Sequence, residues 1–536
     1  MKPEILTVVF CVLSLATANA ALAEAQVDVS DRSRPTGQGW IEGYRDGDTL
    51  VFKGIPYARP PVGELRWRPP ATVPAWNGLR QTTAFGPKCS QQGGAFNGQG
   101  EEDCLYLNVW APDTKSVPAD ETARRPVMLW IHGGGLLFGS STNAIFNSRK
   151  LAEAGNVVIV SFNYRLGVFG FLGLRELSVE SQPQSSGAYG LLDQNAALKW
   201  VHDNIAAFGG DPDNITLFGE SAGATSVCMH LAAPISRGLF QRAIIQSGPC
   251  LINQVSLEEH ERRSRFIVDA LGCTDSNDVS ACLRAADVHD VIEANRDKTT
   301  GLPPGLNDES PTWSIEKGLP VDGVFMLKPF VQAIREGDVA EVPVMIGSVA
   351  DEWYTFLNSS RDQLNKPGQY QLALSRRYGD RAAAVSSVYA LENPDDTTAV
   401  LAAVVGADLI NCPTEVVAGK LADHGRHIYL YSLQKKLDHL PEPLWGVFHT
   451  SDLAFVFGND HWLAPLGEKD KLLSAKMMTY WTNFAKTGSP NSSDAPEWPR
   501  YDSSAGRYLR LDETVSADVN AGAENKCAFW KKFREW

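Results

Sequence analysis

Residues 216–223 read T-L-F-G-E-S-A-G, a short apolar run that leads directly into glycine, serine and glycine. This pattern predicts a nucleophile elbow, in which a strand turns sharply into a helix with Ser221 at the turn. A glycine two residues before the serine and another two residues after it let strand and helix pass without a Cβ collision. The turn exposes the Ser221 hydroxyl and places the Ala222 amide at a helix N-terminus, where unpaired N–H groups can hold an oxyanion. Because G-x-S-x-G also occurs in ordinary loops, the rest of the chain must supply the remaining parts of such a site.

Short apolar runs around the elbow predict a parallel sheet. They occupy residues 127–131, 157–162, 215–218, 243–245, 344–346 and 428–433, and continuous apolar runs are typical of strands that are buried on both faces. Helical spacing at residues 192–208 and 224–231 separates some of them. The alternation predicts an α/β fold with a doubly wound, mostly parallel central sheet and helices on both faces. The ligand crevice of such a sheet lies beyond the carboxyl ends of its strands.

The remaining segments complete the predicted architecture. The pattern predicts an edge hairpin at residues 37–54 and a mostly helical insert at 256–343, which contains a loop rich in proline and glycine at 301–308. It also predicts further helices at 376–407, an amphipathic helix at 472–484 and a short docking helix at 529–536. No linker or internal repeat divides the chain, so residues 21–536 are predicted to form a single catalytic domain. The formal net charge of −14 and the lack of a Lys/Arg stripe argue against a nucleic-acid partner.

The N-terminus reads as a secretory signal peptide. Lys2 is followed by an apolar run at residues 5–15 and by small residues ending at Ala20 and Ala23, which predicts a signal of residues 1–20 with cleavage as late as residue 23. The apolar run is too short to span a membrane. We therefore expect a soluble exported protein, either secreted or periplasmic. In that compartment disulfides are the default for the eight cysteines after the signal. The chain has no C-x-x-C motif or Cys/His cluster, so no structural metal is expected.

Three further elements can complete a serine site: a loop that holds the oxyanion, an acid and a base. His132 and the glycines Gly133, Gly134 and Gly135 follow the strand at 127–131 directly, and consecutive glycines at a strand end favour an oxyanion hole of bare amides. Just past the strand at 344–346 come Asp351 and Glu352. On position alone either carboxylate could orient a catalytic histidine.

The base is sought among the histidines after the elbow, because the usual order in such hydrolases is serine, acid, histidine. The candidates are His230, His260, His289, His424, His427, His439, His449 and His461. His449 is favoured, since it lies in an apolar loop shortly after the carboxyl end of the strand at 428–433. His439 is the alternative, in a charged loop. His461 follows Asn459 and Asp460 and reads as a surface turn.

Taken together, these motifs resemble the type-B carboxylesterases of the cholinesterase-like α/β-hydrolase family. The resemblance extends over nearly the whole chain after the signal and is carried by G-I-P-Y-A at 54–58, E-D-C-L-Y-L-N at 102–108, H-G-G-G at 132–135, N-Y-R at 163–165, G-E-S-A-G at 219–223, Q-S-G at 246–248, D-E at 351–352, G-V-F-H at 446–449 and F-A-K-T-G at 484–488. It implies an α/β-hydrolase fold and hydrolysis of carboxylic esters, with no cofactor.

The resemblance also implies roles for individual residues. Ser221 is the nucleophile, Glu352 the triad acid and His449 the base, and the oxyanion amides are those of Gly134, Gly135 and Ala222. Ser247 supports the triad and Arg66 pairs with Glu102 in a structural ion pair. The implied disulfides are Cys89–Cys104, Cys273–Cys282 and Cys412–Cys527, which leaves Cys228 and Cys250 as buried thiols.

Two departures from the family bear on specificity. Leu136 stands after the glycines where the family usually has an aromatic residue, and the short segment between Cys89 and Cys104 lacks the tryptophan that binds choline in true cholinesterases. Choline esters are therefore not the expected substrates. The same machinery could also cleave amides, carbamates or lactones. A non-catalytic binding protein of this family is the other alternative, although the serine, acid, histidine and glycines are all present.

Overall fold

The computed structural model describes residues 29–91, 100–113, 124–295, 318–358, 360–440, 446–493, 495–518, 520 and 522–536. The predicted signal peptide and the predicted loop at residues 301–308 lie outside the described residues.

The described strands belong to one large sheet and two small ones. They are β1 (Ser33–Pro35), β2 (Trp40–Glu42), β3 (Tyr44–Asp46), β4 (Thr49–Pro56), β5 (Leu79–Gln81), β6 (Tyr106–Pro112), β7 (Arg125–Ile131), β8 (Val158–Phe162), β9 (Gly210–Glu220), β10 (Arg242–Gln246), β11 (Gln254–Ser256), β12 (Leu319–Val321), β13 (Val344–Val349), β14 (Ile428–Leu433), β15 (Tyr508–Leu511) and β16 (Ser516–Asp518).

The large sheet has eleven strands in the order β16-β15-β14-β13-β10-β9-β7-β8-β6-β4-β3. The strands from β15 to β8 are parallel, and the antiparallel pairs lie at the two edges. The chain runs from β7 to β8 on one side and then crosses to β9 on the other. This reversal opens a crevice at the carboxyl end of β7, next to that of β9, where ligands bind in open α/β sheets.

Nineteen α-helices surround the sheets in the described residues. They are α1 (Arg149–Gly155), α2 (Gly167–Phe171), α3 (Arg175–Ser178), α4 (Tyr189–Asn204), α5 (Ala222–Ala232), α6 (Leu257–Ser264), α7 (Phe266–Ala270), α8 (Val279–Ala285), α9 (Val288–Ala294), α10 (Phe330–Glu336), α11 (Tyr354–Asn358), α12 (Arg361–Leu364), α13 (Gln369–Tyr378), α14 (Ala382–Val388), α15 (Thr397–Gly406), α16 (Cys412–Asp423), α17 (Ser451–Phe457), α18 (Glu468–Thr487) and α19 (Cys527–Arg534).

Alternate residues of the central strands enter two separate cores. On β7, Val127, Leu129 and Ile131 pack in one cluster with side chains of α4, α5 and α16. Met128 and Trp130 point the other way and pack with side chains of α1, α17 and α18. Both faces of the strand are thus buried, which is why its sequence reads as an unbroken apolar run.

The predicted α/β-hydrolase architecture is confirmed, with differences at element ends. The predicted strand at 215–218 extends to Gly210–Glu220, since it also pairs with the start of β7. The predicted edge hairpin is formed by β3 and β4, whereas Trp40–Glu42 pairs in a separate small sheet. In the described chain, one helical stretch, Pro394–Asp423, has the length and apolarity to cross a membrane. Because 83% of its most apolar part is buried in the protein, this stretch is a core element.

Candidate active site

The elbow forms as its sequence predicts. Ser221 stands between β9 and α5 with φ 58° and ψ −126°, a strained backbone for a residue with a side chain. A Cβ at Gly219 would lie 2.6 Å from the carbonyl carbon of Gly223, and a Cβ at Gly223 would collide with the carbonyl oxygen of Ile131. The two glycines therefore permit the contact between β7, β9 and α5 that holds the serine. Ser221 is partly exposed while the residues of α5 are buried.

The glycine loop after β7 lies against the serine. A Cβ at Gly133 would be 3.0 Å from the Cβ of Ser221. Gly134 and Gly135 have φ values of 109° and 63°, which glycine adopts without strain. Within the described residues, the amides of Gly134, Gly135 and Ala222 donate no hydrogen bond to another protein group. A Cβ at Gly135 would meet nothing within 4 Å, so open space lies beside this loop.

Glu352, and not Asp351, faces the imidazole of His449. Glu352 Oε2 is 2.6 Å from His449 Nδ1, and Glu352 Oε1 accepts a hydrogen bond of 2.9 Å from the amide of Val349. Asp351 holds the loop instead, because its carboxylate accepts from the amide of Val447 at 2.7 Å. The Asp351 carboxylate is therefore engaged with the backbone of the loop, and the Glu352 carboxylate is the one of the two that contacts the ring.

The other imidazole nitrogen faces Glu220, the residue before the serine. His449 Nε2 lies 3.2 Å from Glu220 Oε1, an ionic contact without hydrogen-bond alignment. Burial lowers the pKa of His449, but Glu220 and Glu352 outweigh it, and the net pKa is raised above the usual 6.5. For the acid Glu220 burial acts in the other direction: it raises the pKa to about 8, and the attraction of His449 opposes this only in part. In the described structure no hydrogen bond joins Ser221 Oγ to Nε2; such bonds often form only when substrate binds.

Polar side chains lie buried behind this site. Gln246 donates to Asp452 at 2.7 Å and accepts from the Trp481 indole at 3.0 Å. Burial raises the pKa of Asp452 to about 6. Ser247, which the resemblance assigns to support of the triad, is buried with φ 51°, and its hydroxyl has no hydrogen-bond partner among the described residues. The structure places Ser247 beside the elbow but does not join it to His449 or Glu352.

The cysteine pairing corrects one expectation. The three implied disulfides are present, but Cys228 and Cys250 also form a disulfide and are not free thiols. Cys228 is on α5 and Cys250 follows β10, so the bond ties the elbow helix to the neighbouring strand end. The expected ion pair is bidentate, with Arg66 Nε and Nη2 each 2.7 Å from a Glu102 oxygen. Among the described residues, no group of three or more His, Cys, Asp or Glu side chains could hold a metal ion.

Sequence reasoning missed two residues near the site. Glu220 lies within the elbow motif itself, and its position next to Ser221 was the available signal. His461 reads as a surface turn, yet it is 3% exposed and packs beside the His449 loop. The polar neighbours of His461 hid its burial.

The fold and the elbow define an α/β-hydrolase, and comparison with known proteins narrows this class. Residues 30–530 match the model of the carboxylesterase family. Mouse cholinesterase is 34% identical over 527 residues, covering 91% of this chain and 83% of the relative. Acetylcholinesterase of Bungarus fasciatus is 32% identical over 541 residues, with the same coverage of 91% and 83%. The chain belongs to the carboxylesterase family and is a serine hydrolase that acts on small-molecule esters.

Proposed function

We propose that this chain is an exported serine carboxylesterase that forms an acyl-enzyme on Ser221. His449 takes the Ser221 proton during attack on the ester carbonyl, and Glu352 holds the imidazole and stabilises its charged form. The amides of Gly134, Gly135 and Ala222 stabilise the tetrahedral oxyanion. After the alcohol leaves, His449 activates water to cleave the acyl-enzyme. The observation that carries the proposal is the 2.6 Å contact between Glu352 and His449. The same imidazole also contacts Glu220 of the elbow through its other nitrogen.

The decisive experiment is labelling with a fluorophosphonate together with burst kinetics on a short-chain aryl ester. The wild type should bind one probe per chain and turn over the ester. Ser221→Ala should do neither, while Ser504→Ala, which changes an exposed serine, should behave as the wild type. A wild type that neither labels nor turns over would refute the enzymatic proposal, and amide, carbamate and lactone substrates test which bond is preferred.

The acid assignment has its own test in two isosteric changes. Glu352→Gln is expected to lower kcat by about 10²- to 10⁴-fold, since the carboxylate orients the imidazole and stabilises its charged form. Asp351→Asn retains a side-chain oxygen that can accept from Val447, so a much smaller loss is expected. If Asp351→Asn abolished turnover and Glu352→Gln did not, the assignment would be reversed.

We further propose that neutral esters are preferred over choline esters, because residues 90–103 contain no tryptophan to bind a quaternary ammonium. A matched pair tests this: a choline ester and its uncharged 3,3-dimethylbutyl counterpart have the same shape. The kcat/KM of the choline ester should not exceed that of the neutral ester. A preference of tenfold or more for choline would contradict the proposal.

Export and domain organisation are also part of the proposal. Four disulfides fit an oxidising compartment, which agrees with the signal read at residues 1–20. The mature protein, a single catalytic domain, should then begin at Ala21 or, with later cleavage, at Glu24. N-terminal sequencing of the protein from the culture medium or periplasm checks this. An unprocessed N-terminus on intracellular protein would count against export.

A further inference from the structure

Thr450, the residue directly after His449, has an unusual backbone. Its φ is 78° and its ψ is −5°, in the left-handed region that a β-branched side chain opposes. Nine non-glycine residues in the described part of the chain have positive φ, and Thr450 is the only β-branched residue among them. Something other than the intrinsic preference of threonine must therefore hold the backbone beside His449.

The hydroxyl of Thr450 is not used as a helix cap. A threonine at the start of a helix commonly accepts a hydrogen bond from one of the first free amides. Thr450 stands at the start of α17, but its side chain makes no such bond. Its Oγ1 lies instead 3.4 Å from Nε2 of His461. The hydroxyl thus links the backbone after His449 to a second histidine.

The geometry of His461 fixes which ring nitrogen carries the proton. Nδ1 accepts a hydrogen bond of 3.2 Å from the amide of Leu463, and in a neutral imidazole the other nitrogen then carries hydrogen. Burial lowers the pKa of His461 to about 3, so the ring is neutral at physiological pH. Nε2 therefore donates to the Thr450 hydroxyl.

His461 also contacts the residue on the other side of His449. The rings of His461 and Phe448 meet edge to face with centroids 5.1 Å apart. His461 is held in turn by Trp462, whose ring centroid is 3.8 Å away, and by the amide of Ala464, which donates to the His461 carbonyl at 3.1 Å. A fixed, neutral side chain thus supports both neighbours of His449.

We propose that His461 is a positioning residue for ester hydrolysis, which fixes Phe448 and Thr450 and thereby holds the imidazole of His449 between Glu352 and the elbow. The inference rests on the proposed function, in which His449 is the base. The turn at Thr450 is also closed by a backbone hydrogen bond of 3.0 Å from the amide of Ser451 to the carbonyl of Phe448. Without His461 the side-chain support of this turn is lost, and Thr450 is expected to relax toward a negative φ and to rotate the peptide after His449. A small displacement of a catalytic group is enough to slow an enzyme strongly.

A double-mutant cycle tests this mechanism, because glycine adopts a positive φ without help. His461→Ala in the wild-type background should lower kcat by roughly 10- to 100-fold with little change in KM. Here kcat is expressed per active site, and the active sites are counted by titration with a fluorophosphonate. In the Thr450→Gly background the same change should lower kcat by less than about threefold, since the backbone no longer needs support. Thr450→Val keeps the β-branch, loses the hydroxyl and should resemble His461→Ala. His424→Ala, at an exposed histidine, is the matched control and should have no effect.

The pH profile provides a readout that loss of stability alone would not move. Loosening the contact with Glu352 should lower the pKa of His449, so the acid limb of kcat/KM should move to lower pH in His461→Ala and not in the Thr450→Gly background. Equal losses in both backgrounds, or full activity of both His461→Ala and Thr450→Val, would overturn the inference. A wild type without esterase activity would instead refute the proposed function.

Discussion

Replacing Glu220 with glutamine should shift the acid limb of ester hydrolysis to lower pH. The base must be neutral to take the Ser221 proton, so activity falls as pH decreases through the pKa of His449. Burial alone would place that pKa below 6.5, whereas the negative charge of Glu220 raises it. The two effects have opposite signs, and the position of the acid limb shows which one prevails.

The structure sets the size of the shift. At 3.2 Å between Nε2 and Oε1, an effective dielectric constant of about 20 gives an attraction of about 5 kcal/mol as an upper limit. Desolvation of both buried groups opposes this attraction. A close opposite charge typically shifts a pKa by about 1 to 3, which corresponds to about 1.4 to 4 kcal/mol. Because the two groups interact, the proton that leaves on the acid limb belongs to the pair. Glutamine has nearly the same shape and removes only the charge.

The assay is kcat/KM for a neutral aryl ester between pH 5 and pH 10, supported by the rate of fluorophosphonate inactivation, which reports on attack by Ser221 alone. The wild-type limb should lie above 6.5, and that of Glu220→Gln about 1 to 3 units lower. Glu258→Gln, at an exposed position on α6, controls for the loss of one negative charge. An unchanged limb, or one that moves to higher pH, would refute the reasoning that Glu220 sets the pKa of the base.

The remaining predictions concern stability. Gly223→Ala should give almost no folded protein, because its Cβ would collide with the carbonyl oxygen of Ile131; Gly425→Ala, at a left-handed position in open space, should lose only about 1 to 2 kcal/mol of unfolding free energy. Soluble yield and urea unfolding compare the two. Removing Cys412–Cys527 should lower the free energy of unfolding by about 5 kcal/mol and removing Cys228–Cys250 by about 3 kcal/mol, because the loss grows with loop length, and these loops span 115 and 22 residues. Unfolding of the paired cysteine-to-alanine variants under non-reducing conditions gives the order, and the reverse order would contradict the entropic argument.

Much of the sheet could be predicted because burial on both faces leaves a simple mark on the sequence. The apolar run at 428–433 predicts a strand with the same bounds as the observed one, Ile428–Leu433. The elbow was equally readable, since its two glycines are required by backbone contacts with β7. Where a strand end depends on a partner, as Gly210 does on Arg125, the local sequence carries no such mark.

Position in the sequence does not decide which of Asp351 and Glu352 is the triad acid, because both lie within three residues of the end of β13. They differ in the direction in which their side chains point. That direction is set by the isolated parallel bridge between Asp351 and Phe448, a contact across nearly a hundred residues. Pairing of Cys228 with Cys250 depends in the same way on how α5 lies against the end of β10. Both are facts of tertiary packing that no spacing encodes.

The serine and the base are held by different kinds of contact. Ser221 is fixed by backbone packing, in which strand, loop and helix meet so closely that glycine is required. His449 stands on a loop outside the sheet and is fixed by side chains, Asp351 holding Val447, Glu352 the ring and His461 the adjacent residues. Close packing has no intermediate state, whereas each side-chain contact can be weakened separately. Substitutions at the elbow glycines should therefore decide between folded and unfolded protein, while substitutions around the base should leave a folded enzyme whose rate and pH profile change by degrees.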